Sequence, residues 1–324
     1  MRKILTTFLL GLAVAAGAQA QSWPAKPVTL LVPFPPGGST DMIARTLGPK
    51  LQEQLGGSFV VDNRGGAGGT LGAAMVRRAA PDGYTLLVTS LGPLVIGPHL
   101  LKNTGYDPLK DFDYLTLAVQ APNVLAVPAA SPHKSLADVL KALRAEPGKM
   151  TFASAGNGTS DHLTAELFWQ ETGTQGNHVP YKGGAPALTG LLGGEVDAIF
   201  DVVTNTVAQH RAGRLRILAV TGAQRSPLLP EVAVFRESGL GLREIDEATL
   251  WYGFFAPAGT PAATVERQNR EIARVVSDAA LRERLDALDI APAAPEPAAF
   301  ARFVREDSER WGTVIRATGF KVTD

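Results

Sequence analysis

The sequence predicts an α/β fold in which two α/β lobes are joined by two crossing strands around a ligand cleft. Short β-rich runs alternate with helical stretches in two successive series, a pattern typical of βαβ units and a mainly parallel sheet. Two longer extended segments, Tyr114 to Val127 and Thr249 to Ala256, follow the first and the second series. These connectors indicate two crossings, so we expect one lobe at residues 21–120 plus 254–324 and the other at residues 121–253.

Each predicted element follows from its local pattern of apolar residues and turn residues. The first series is expected to alternate strand and helix over Val28 to Val32, Ser39 to Leu55, Phe59 to Asp62, Thr70 to Ala80 and Thr85 to Thr89. The second series is expected to form an α/β sheet from Thr151 to Ala155, Ser160 to Thr172, Ala185 to Leu192, Val196 to Phe200, Thr206 to Ala212 and Leu215 to Val220. The tail, from Pro261 to Ala287 and from Pro297 to Thr318, has a helical amphipathic spacing, so we expect it to cover the first lobe.

The composition excludes several classes of protein. The 324 residues are 45% hydrophobic, which is enough to bury one large core or two ordinary ones. Basic and acidic residues both number 31, so no net charge favours nucleic acid or an anionic membrane surface, and we expect no nucleic-acid partner. The absence of cysteine excludes disulfides, thiolate nucleophiles and cysteine-ligated zinc.

Residues 1–20 have the pattern of a signal peptide. Arg2 and Lys3 precede an apolar run from Ile4 to Ala16, and the small-x-small pattern Ala18-Gln19-Ala20 follows. The run is too short for a comfortable transmembrane helix, and no polar face supports the alternative of an amphipathic anchor. We therefore expect cleavage, export to the periplasm and, since no cysteine follows the cleavage site, no lipid anchor.

The turn after the first strand is a candidate anion site. Unpaired N–H groups and the positive end of the dipole favour anions at a helix N-terminus. In this turn Gly37 and Gly38 allow close approach of a ligand to the backbone, and Ser39 is expected to be the N-cap. Asp41 falls in the first helical turn, four residues before Arg45, and capping is its favoured alternative role.

A second glycine-rich turn leads from a strand into a helix in the second series, so it is expected to face the first turn across the cleft. Its residues are Ser154-Ala155-Gly156-Asn157-Gly158-Thr159-Ser160. Two opposed sets of backbone amides would suit the two ends of a diacid. His162 lies beside this turn, where packing and hydrogen bonding are favoured over ligand contact.

Signatures of enzymes and nucleotide-binding proteins are weak or missing. The glycines Gly66, Gly68 and Gly72 depart from the dinucleotide-binding spacing, and a P-loop lysine is absent. The sequence has no G-x-S-x-G or H-E-x-x-H motif, so it indicates no catalytic residue, metal or cofactor. Asp197 and Asp201 share a strand face without forming an acid/base pair. Asp201 either reaches the cleft, where it would accept from an ammonium or hydroxyl group, or caps the next helix.

Taken together, the motifs resemble one family, the periplasmic solute receptors of tripartite tricarboxylate transporters, also called Bug proteins. The segments that carry the resemblance are Trp23-Pro24-x-Lys26-Pro27, Pro33-Phe34-x-Pro36-Gly37-Gly38-Ser39-x-Asp41, Asn63-Arg64-x-Gly66-Ala67-Gly68-Gly69, Ala80-Pro81-Asp82-Gly83-Tyr84-Thr85-Leu86, Gly156-Asn157-Gly158-Thr159-x-x-His162-Leu163 and Tyr181-Lys182-Gly183-Gly184. They occur in the order in which the family has them. The sequence departs from the family at Gly65, where proline is usual, and at Asp161, which adds an acid beside His162.

The resemblance implies a type II periplasmic-binding-protein fold that closes on a carboxylate. Its two glycine loops would hold the carboxylate through Phe34, Gly37, Gly38, Ser39, Asp41, Ser154, Gly156, Asn157, Gly158 and Thr159, with His162, Tyr181 and Asp201 nearby. Phe34, Tyr181 and Asp201 would contact the rest of the ligand. The function implied is a receptor that delivers a small carboxylate to the integral-membrane subunits of a transporter, or to a sensor. The alternative is an exported enzyme on the same fold.

Overall fold

The computed structural model describes residues 23–242 and 244–318, so the predicted signal peptide lies outside the described residues. The strands are β1 Val28–Val32, β2 Phe59–Asn63, β3 Thr85–Ser90, β4 Phe112–Ala121, β5 Asn123–Pro128, β6 Thr151–Ser154, β7 Asn177–Pro180, β8 Ala198–Val202, β9 Leu215–Val220, β10 Leu250–Pro257 and β11 Ala291–Pro292. The helices are α1 Ser39–Leu55, α2 Thr70–Arg77, α3 Gly97–Leu100, α4 Leu136–Ala145, α5 Ser160–Thr172, α6 Gly184–Gly193, α7 Val203–Arg211, α8 Ala262–Val276, α9 Ala279–Asp286 and α10 Pro297–Thr318.

The strands form two sheets, which confirms the predicted two-lobed α/β fold. The first sheet has six strands in the order β11-β4-β10-β3-β1-β2, and the second has five in the order β7-β6-β8-β5-β9. Strand β1 lies parallel to β2 and β3, and β6 lies parallel to β7 and β8. The remaining pairs are antiparallel. The expectation of mainly parallel sheets is therefore wrong, because both sheets are mixed.

The connecting strands explain why the sheets are mixed. Strand β4 belongs to the first sheet and β5 to the second, and only Pro122 separates them. Strand β10 brings the chain back and lies antiparallel between β3 and β4. Segments that pass straight from one sheet to another do not need the helical crossover that makes neighbouring strands parallel. They therefore enter each sheet in the opposite direction to its βαβ strands.

Buried apolar residues cover both faces of the sheets. In the second lobe Phe152, Phe168, Phe200 and Phe235 form a cluster of stacked and tilted rings. In the first lobe the tail helices α8 and α10 pack on β4. Within residues 23–242 and 244–318, no helix combines the length and apolar character needed to cross a bilayer.

Candidate ligand-binding site

A cavity lies between the two lobes, at the carboxyl ends of strands that lead directly into helices. Its unfilled space, counted together with the solvent at its open side, is about 480 Å³. Its lining comes from both sheets and consists of Phe34, Pro35, Pro36, Gly38, Ser39, Thr40, Ser90, Ala155, Thr159, Ser160, Asp161, Gly183, Gly184, Ala185, Pro186, Asp201, Asn205 and Leu250. Ligands of α/β proteins commonly bind at this end of the strands.

The first-lobe wall is the N-terminus of helix α1. Gly38, in an extended conformation, is the N-cap, and no side chain caps the helix. The expectation that Ser39 is the N-cap is therefore wrong, since Ser39 is the first helical residue. Because Gly38 has no side chain to occupy the first-turn amides, these amides are free to face the cavity.

Asp41 does not line the cavity; it holds the loop that does. Its Oδ2 accepts a hydrogen bond from the backbone N–H of Gly37 at 2.9 Å, and the Nε of Arg45 lies 2.9 Å from its Oδ1. Asn63 donates both to Asp41 Oδ1 and to the carbonyl of Phe34, each at 3.0 Å. Burial raises the pKa of Asp41, but the hydrogen bonds from Arg45, Gly37 and Asn63 outweigh it and lower the pKa overall. Asp41 thus remains ionised and preorganises the loop.

The second-lobe wall is the N-terminus of helix α5, and it repeats this design. The N-cap Thr159 is extended and does not cap the helix with its side chain, because its hydroxyl donates to the carbonyl of Gly156 at 2.8 Å. Asp161, in the first turn, accepts a hydrogen bond from the backbone N–H of Ala155 at 3.2 Å and another from the Ser160 hydroxyl at 3.0 Å. An aspartate in the first helical turn therefore reaches back to its loop in both lobes.

His162 supports this loop from behind and is not part of the lining. Its ring stacks on that of His178 with 3.5 Å between the ring centres, and its Nδ1 accepts a hydrogen bond from the N–H of Gly158 at 3.2 Å. The Nε2 of His178 lies 2.6 Å from the hydroxyl of Ser154. Burial lowers the pKa of His162 to about 2, with a further contribution from His178, and lowers the pKa of His178 to about 4. Both rings are therefore neutral at pH 7 and act as packing and hydrogen-bonding groups.

A third helix N-terminus, that of α6, completes the cavity. Its N-cap Gly183 and first residue Gly184 line the cavity, and no side chain caps this helix. The sequence has the same order of strand, glycine pair and helix here as in the first loop. Only the resemblance to the family, and not this local pattern, indicated that the segment belongs to the site. Tyr181 lies outside the lining, where its hydroxyl donates to Glu195 at 2.8 Å.

Asp201 reaches the cavity from the end of β8 and is only 2% exposed. Its Oδ1 accepts hydrogen bonds from the backbone N–H of Val202 at 2.7 Å and from the Nδ2 of Asn205 at 2.9 Å. Its Oδ2 is buried without a hydrogen-bond partner among the described residues. Burial, and then the charge of Asp161, raise the pKa of Asp201 well above its ordinary value. Burial also raises the pKa of Asp161 to about 6.

The predicted site residues divide into two sets. Those that line the cavity are Phe34, Gly38, Ser39, Thr159 and Asp201. Those that lie behind or beside the lining are Gly37, Asp41, Ser154, Gly156, Asn157, Gly158, His162 and Tyr181. Several lining residues were not singled out in the sequence, notably Ser90, Asn205 and Leu250, because no local motif marks them. In the part of the chain that the structure describes, no three His, Asp or Glu side chains are grouped to hold a metal ion.

The lobes touch across the cavity, so the cleft is closed. A Cβ atom built on Gly37 would lie 3.6 Å from the Cβ of Ala185. A Cβ atom built on Gly68 would lie only 2.4 Å from the carbonyl oxygen of Asn157. An added Cβ would therefore make an ordinary contact across the cleft at Gly37, whereas at Gly68 there is no room for one.

Comparison with known proteins identifies the family. Residues 43–320 match the tripartite tricarboxylate transporter family receptor. BugT of Bordetella pertussis is 36% identical over 320 residues, covering 98% of this chain and 97% of BugT. An R. palustris protein solved with adipate is 34% identical, with a TM-score of 0.88 over 92% of this chain and 98% of that one. MatC from Rhodopseudomonas palustris, solved with bound malate, is 32% identical, with a TM-score of 0.85 over 90% of this chain and 100% of MatC. This chain therefore belongs to the family of tripartite tricarboxylate transporter receptors.

Proposed function

We propose that this protein is a periplasmic receptor that captures a small organic carboxylate between its two lobes and delivers it to the integral-membrane subunits of a transporter. The observation that carries the proposal is the convergence of the N-termini of α1, α5 and α6, none capped by a side chain, on one cavity between the lobes. Free N–H groups and aligned peptide dipoles favour an anion there. Among the described residues, no lysine or arginine lines the cavity, so recognition falls to these amides and to hydroxyl groups.

The energy of such a site suffices for a transport receptor. Micromolar affinity corresponds to about 8 kcal/mol. Hydrogen bonds to a charged group contribute roughly 1.5 to 3 kcal/mol each, so several of them offset the freedom lost on binding. The amides are already held in place by Asp41 and Asp161, which reduces the ordering cost that the ligand must meet.

Binding is proposed to couple to closure of the lobes. Residues 21–120 plus 254–324 form one lobe in this proposal and residues 121–253 the other, with the chain crossing near Pro122 and again within β10. A carboxylate that bridges α1 and α5 contacts both sets of amides only when the lobes are closed. It therefore binds the closed form more tightly and shifts the population toward closure. The adipate and malate complexes of the related proteins support a carboxylate as the ligand. The leader pattern of residues 1–20 supports the periplasm as the location.

Binding without turnover fits the cavity better than catalysis. The hydroxyl groups of Ser39, Ser90 and Ser160 line it, but no histidine does, and the nearby His162 points its Nδ1 at the N–H of Gly158. A serine nucleophile needs a base within hydrogen-bond reach. The Ser160 hydroxyl does contact an acid, Asp161, at 3.0 Å, but that carboxylate also accepts from the backbone N–H of Ala155 and so serves to hold the loop. The alternative of an exported enzyme therefore lacks support from the cavity lining.

The experiment that tests this function is a thermal-shift and calorimetric screen of the protein with mono-, di- and aromatic carboxylates, each paired with its primary amide. Because a ligand stabilises the folded state by mass action, a cognate acid should raise the melting temperature and its amide should not. Failure of every carboxylate to bind would contradict the proposal. The protein could instead convert the bound acid or hydrolyse an ester. If a substitution in the cleft abolished that turnover, the alternative of an exported enzyme would be favoured.

A further inference from the structure

One acceptor in the cavity has no partner. The Oδ2 atom of Asp201 is buried without a hydrogen-bond partner among the described residues, and the residue is only 2% exposed. The other oxygen of this carboxyl group accepts two hydrogen bonds, which fix its orientation. Leaving a buried polar atom unpaired is costly unless a ligand satisfies it. Asp201 therefore points to a hydrogen-bond donor on the ligand.

A second carboxyl group lines the same cavity. Asp161 is 4% exposed, and its charge is one of the causes that raise the pKa of Asp201, so the two groups act on each other. Both are held by neighbours, Asp161 by Ala155 and Ser160 and Asp201 by Val202 and Asn205, so neither can turn away. Without a cation, the repulsion is relieved only by a proton on Asp201, whose pKa is raised. The pair is a fixed, electron-rich wall of the cavity.

No basic side chain among residues 23–242 and 244–318 lines the cavity to balance this wall. The lining contains neither lysine, arginine nor histidine, and Arg45 is already paired with Asp41 behind the first loop. Two buried carboxyl groups without a cation are unfavourable in their charged form, and a cation between them removes both the repulsion and the desolvation penalty. A hydroxyl group on the ligand would hydrogen-bond with the protonated Asp201 but would not allow both acids to ionise, whereas a cation would.

We propose that Asp161 and Asp201 form a subsite for a protonated amino group, so that the ligand of this receptor carries a cationic amine as well as a carboxylate. This inference rests on the proposed carboxylate-binding function and specifies its ligand class. The three helix N-termini bind the carboxylate, and the ammonium group donates to the free oxygen of Asp201 and faces Asp161. A simple dicarboxylate would bring a second negative charge toward this wall and would bind more weakly.

Matched ligand trios test the proposal by isothermal titration calorimetry on the protein. Suitable trios are aspartate, malate and succinate; glutamate, 2-hydroxyglutarate and glutarate; and leucine, 2-hydroxyisocaproate and 4-methylpentanoate. Within the trio that binds best, we expect the amino member to bind at least about tenfold more tightly than the other two, as a charge-assisted hydrogen bond implies. Equal affinity of the hydroxy and amino members, or tighter binding of the unsubstituted acid, would overturn the proposal.

Variants separate the amine subsite from the carboxylate site. Asp201→Asn and Asp161→Asn should each reduce the preference for the amino member by about tenfold, while binding of the unsubstituted acid stays equal or improves. Glu166→Gln is the matched control, because Glu166 is a partly buried acid on the same helix as Asp161 but does not line the cavity. If Asp201→Asn weakens binding of all three members equally, the amine subsite is wrong, while the proposed carboxylate-binding function stands. If no carboxylate binds the unmodified protein, the proposed function fails and this inference fails with it.

Discussion

The backbone nitrogen of Gly184 lies 4.0 Å from the position that a Cβ atom on Gly38 would occupy. Gly38 is the N-cap of α1 in the first lobe and Gly184 is the first residue of α6 in the second, so two helix N-termini meet across the closed cleft. Without a ligand, the positive dipole ends of the two helices repel each other and disfavour the closed form. An anion between them turns the repulsion into attraction, which explains how a ligand would stabilise closure.

Gly38→Val tests this contact. Gly38 has φ −84°, which any residue can adopt, so the variant should fold normally and its apo melting temperature should stay close to that of the parent. The branched side chain would extend toward Gly184 and occupy the place of the ligand, so carboxylate binding should be lost. Gly193→Val, at a glycine with nothing within 4 Å, is the control and should bind normally. Normal carboxylate affinity of Gly38→Val in calorimetry would show that ligand does not enter between these helices.

Gly68→Ala tests closure itself. The added Cβ would meet the carbonyl oxygen of Asn157 at 2.4 Å, closer than real atoms approach, so the variant should favour an open cleft. We expect a larger radius of gyration in small-angle scattering and weaker ligand binding. Gly56→Ala is a matched control, since Gly56 has φ 68° against 62° for Gly68 but nothing near its side-chain position. Both variants should lose about 1 kcal/mol of stability from the left-handed backbone, and only Gly68→Ala should open.

Ser39→Pro removes one amide that is proposed to bind the carboxylate. Proline is well tolerated at the first position of a helix, and the extended Gly38 before it is compatible with proline. The change deletes both the N–H and the hydroxyl of Ser39, whereas Ser39→Ala deletes only the hydroxyl. Ser39→Pro should weaken carboxylate binding by about tenfold or more relative to Ser39→Ala, the worth of a charge-assisted hydrogen bond. Equal affinities of the two variants would exclude this N–H from the site.

Asp201→Asn should change how stability depends on pH. The pKa of Asp201 is raised in the folded state, so the folded protein holds this proton at pH values where the unfolded chain has released it. The free energy of unfolding due to this group therefore falls as the pH rises above the unfolded value of 3.8. Asparagine cannot lose a proton, and its oxygen can accept the same two hydrogen bonds as Oδ1, from Val202 and Asn205.

Urea unfolding at several pH values measures the effect. Asp201→Asn should gain stability relative to the parent as the pH rises from about 4 to about 8, with the smallest gain at the acidic end. Asp138→Asn supplies a control of opposite sign, because hydrogen bonds from Ser135 and Lys134 lower the pKa of Asp138. Its loss of stability should be nearly constant between about pH 5 and pH 8 and should shrink as the pH falls below the ordinary pKa value of 3.8. A stability difference for Asp201→Asn that does not vary with pH would show that the group is not protonated in the folded state.

The order of elements could be predicted because its signals are local. Val28–Val32 is a short apolar run, Gly37 and Gly38 break it, and Ser39–Leu55 follows with helical spacing. The same sequence of signals marks the loop before α5, and both loops reach the cavity. The short strand β7 and the helix α4 were not predicted. Strand β7 gives little local signal, since it has four residues and its stability comes from pairing with β6.

Single residues were harder to assign than loops. Asp41 and Asp161 occupy the same place in their helices, yet Asp41 is held by Arg45 and Asn63 behind the loop, whereas Asp161 lines the cavity. The spacing of the sequence distinguishes the two only through Arg45, four residues after Asp41, where Ala165 follows Asp161. Asn63 comes from the next strand and reaches Asp41 because β1 and β2 are paired.

The sequence alone determined the family, the alternation of strands and helices, and the glycine loops that free backbone amides, because these depend on neighbours within a few residues. Tertiary structure decided which residues face the ligand. Asp161 and Asp201 are 40 positions apart in the chain, and Ser90 and Leu250 lie farther away still, so only the order of the strands brings them to one cavity. The charge state of the two acids was decided there as well. Burial raises both pKa values and the charge of Asp161 further raises that of Asp201, and both effects arise only when the lobes are folded and closed.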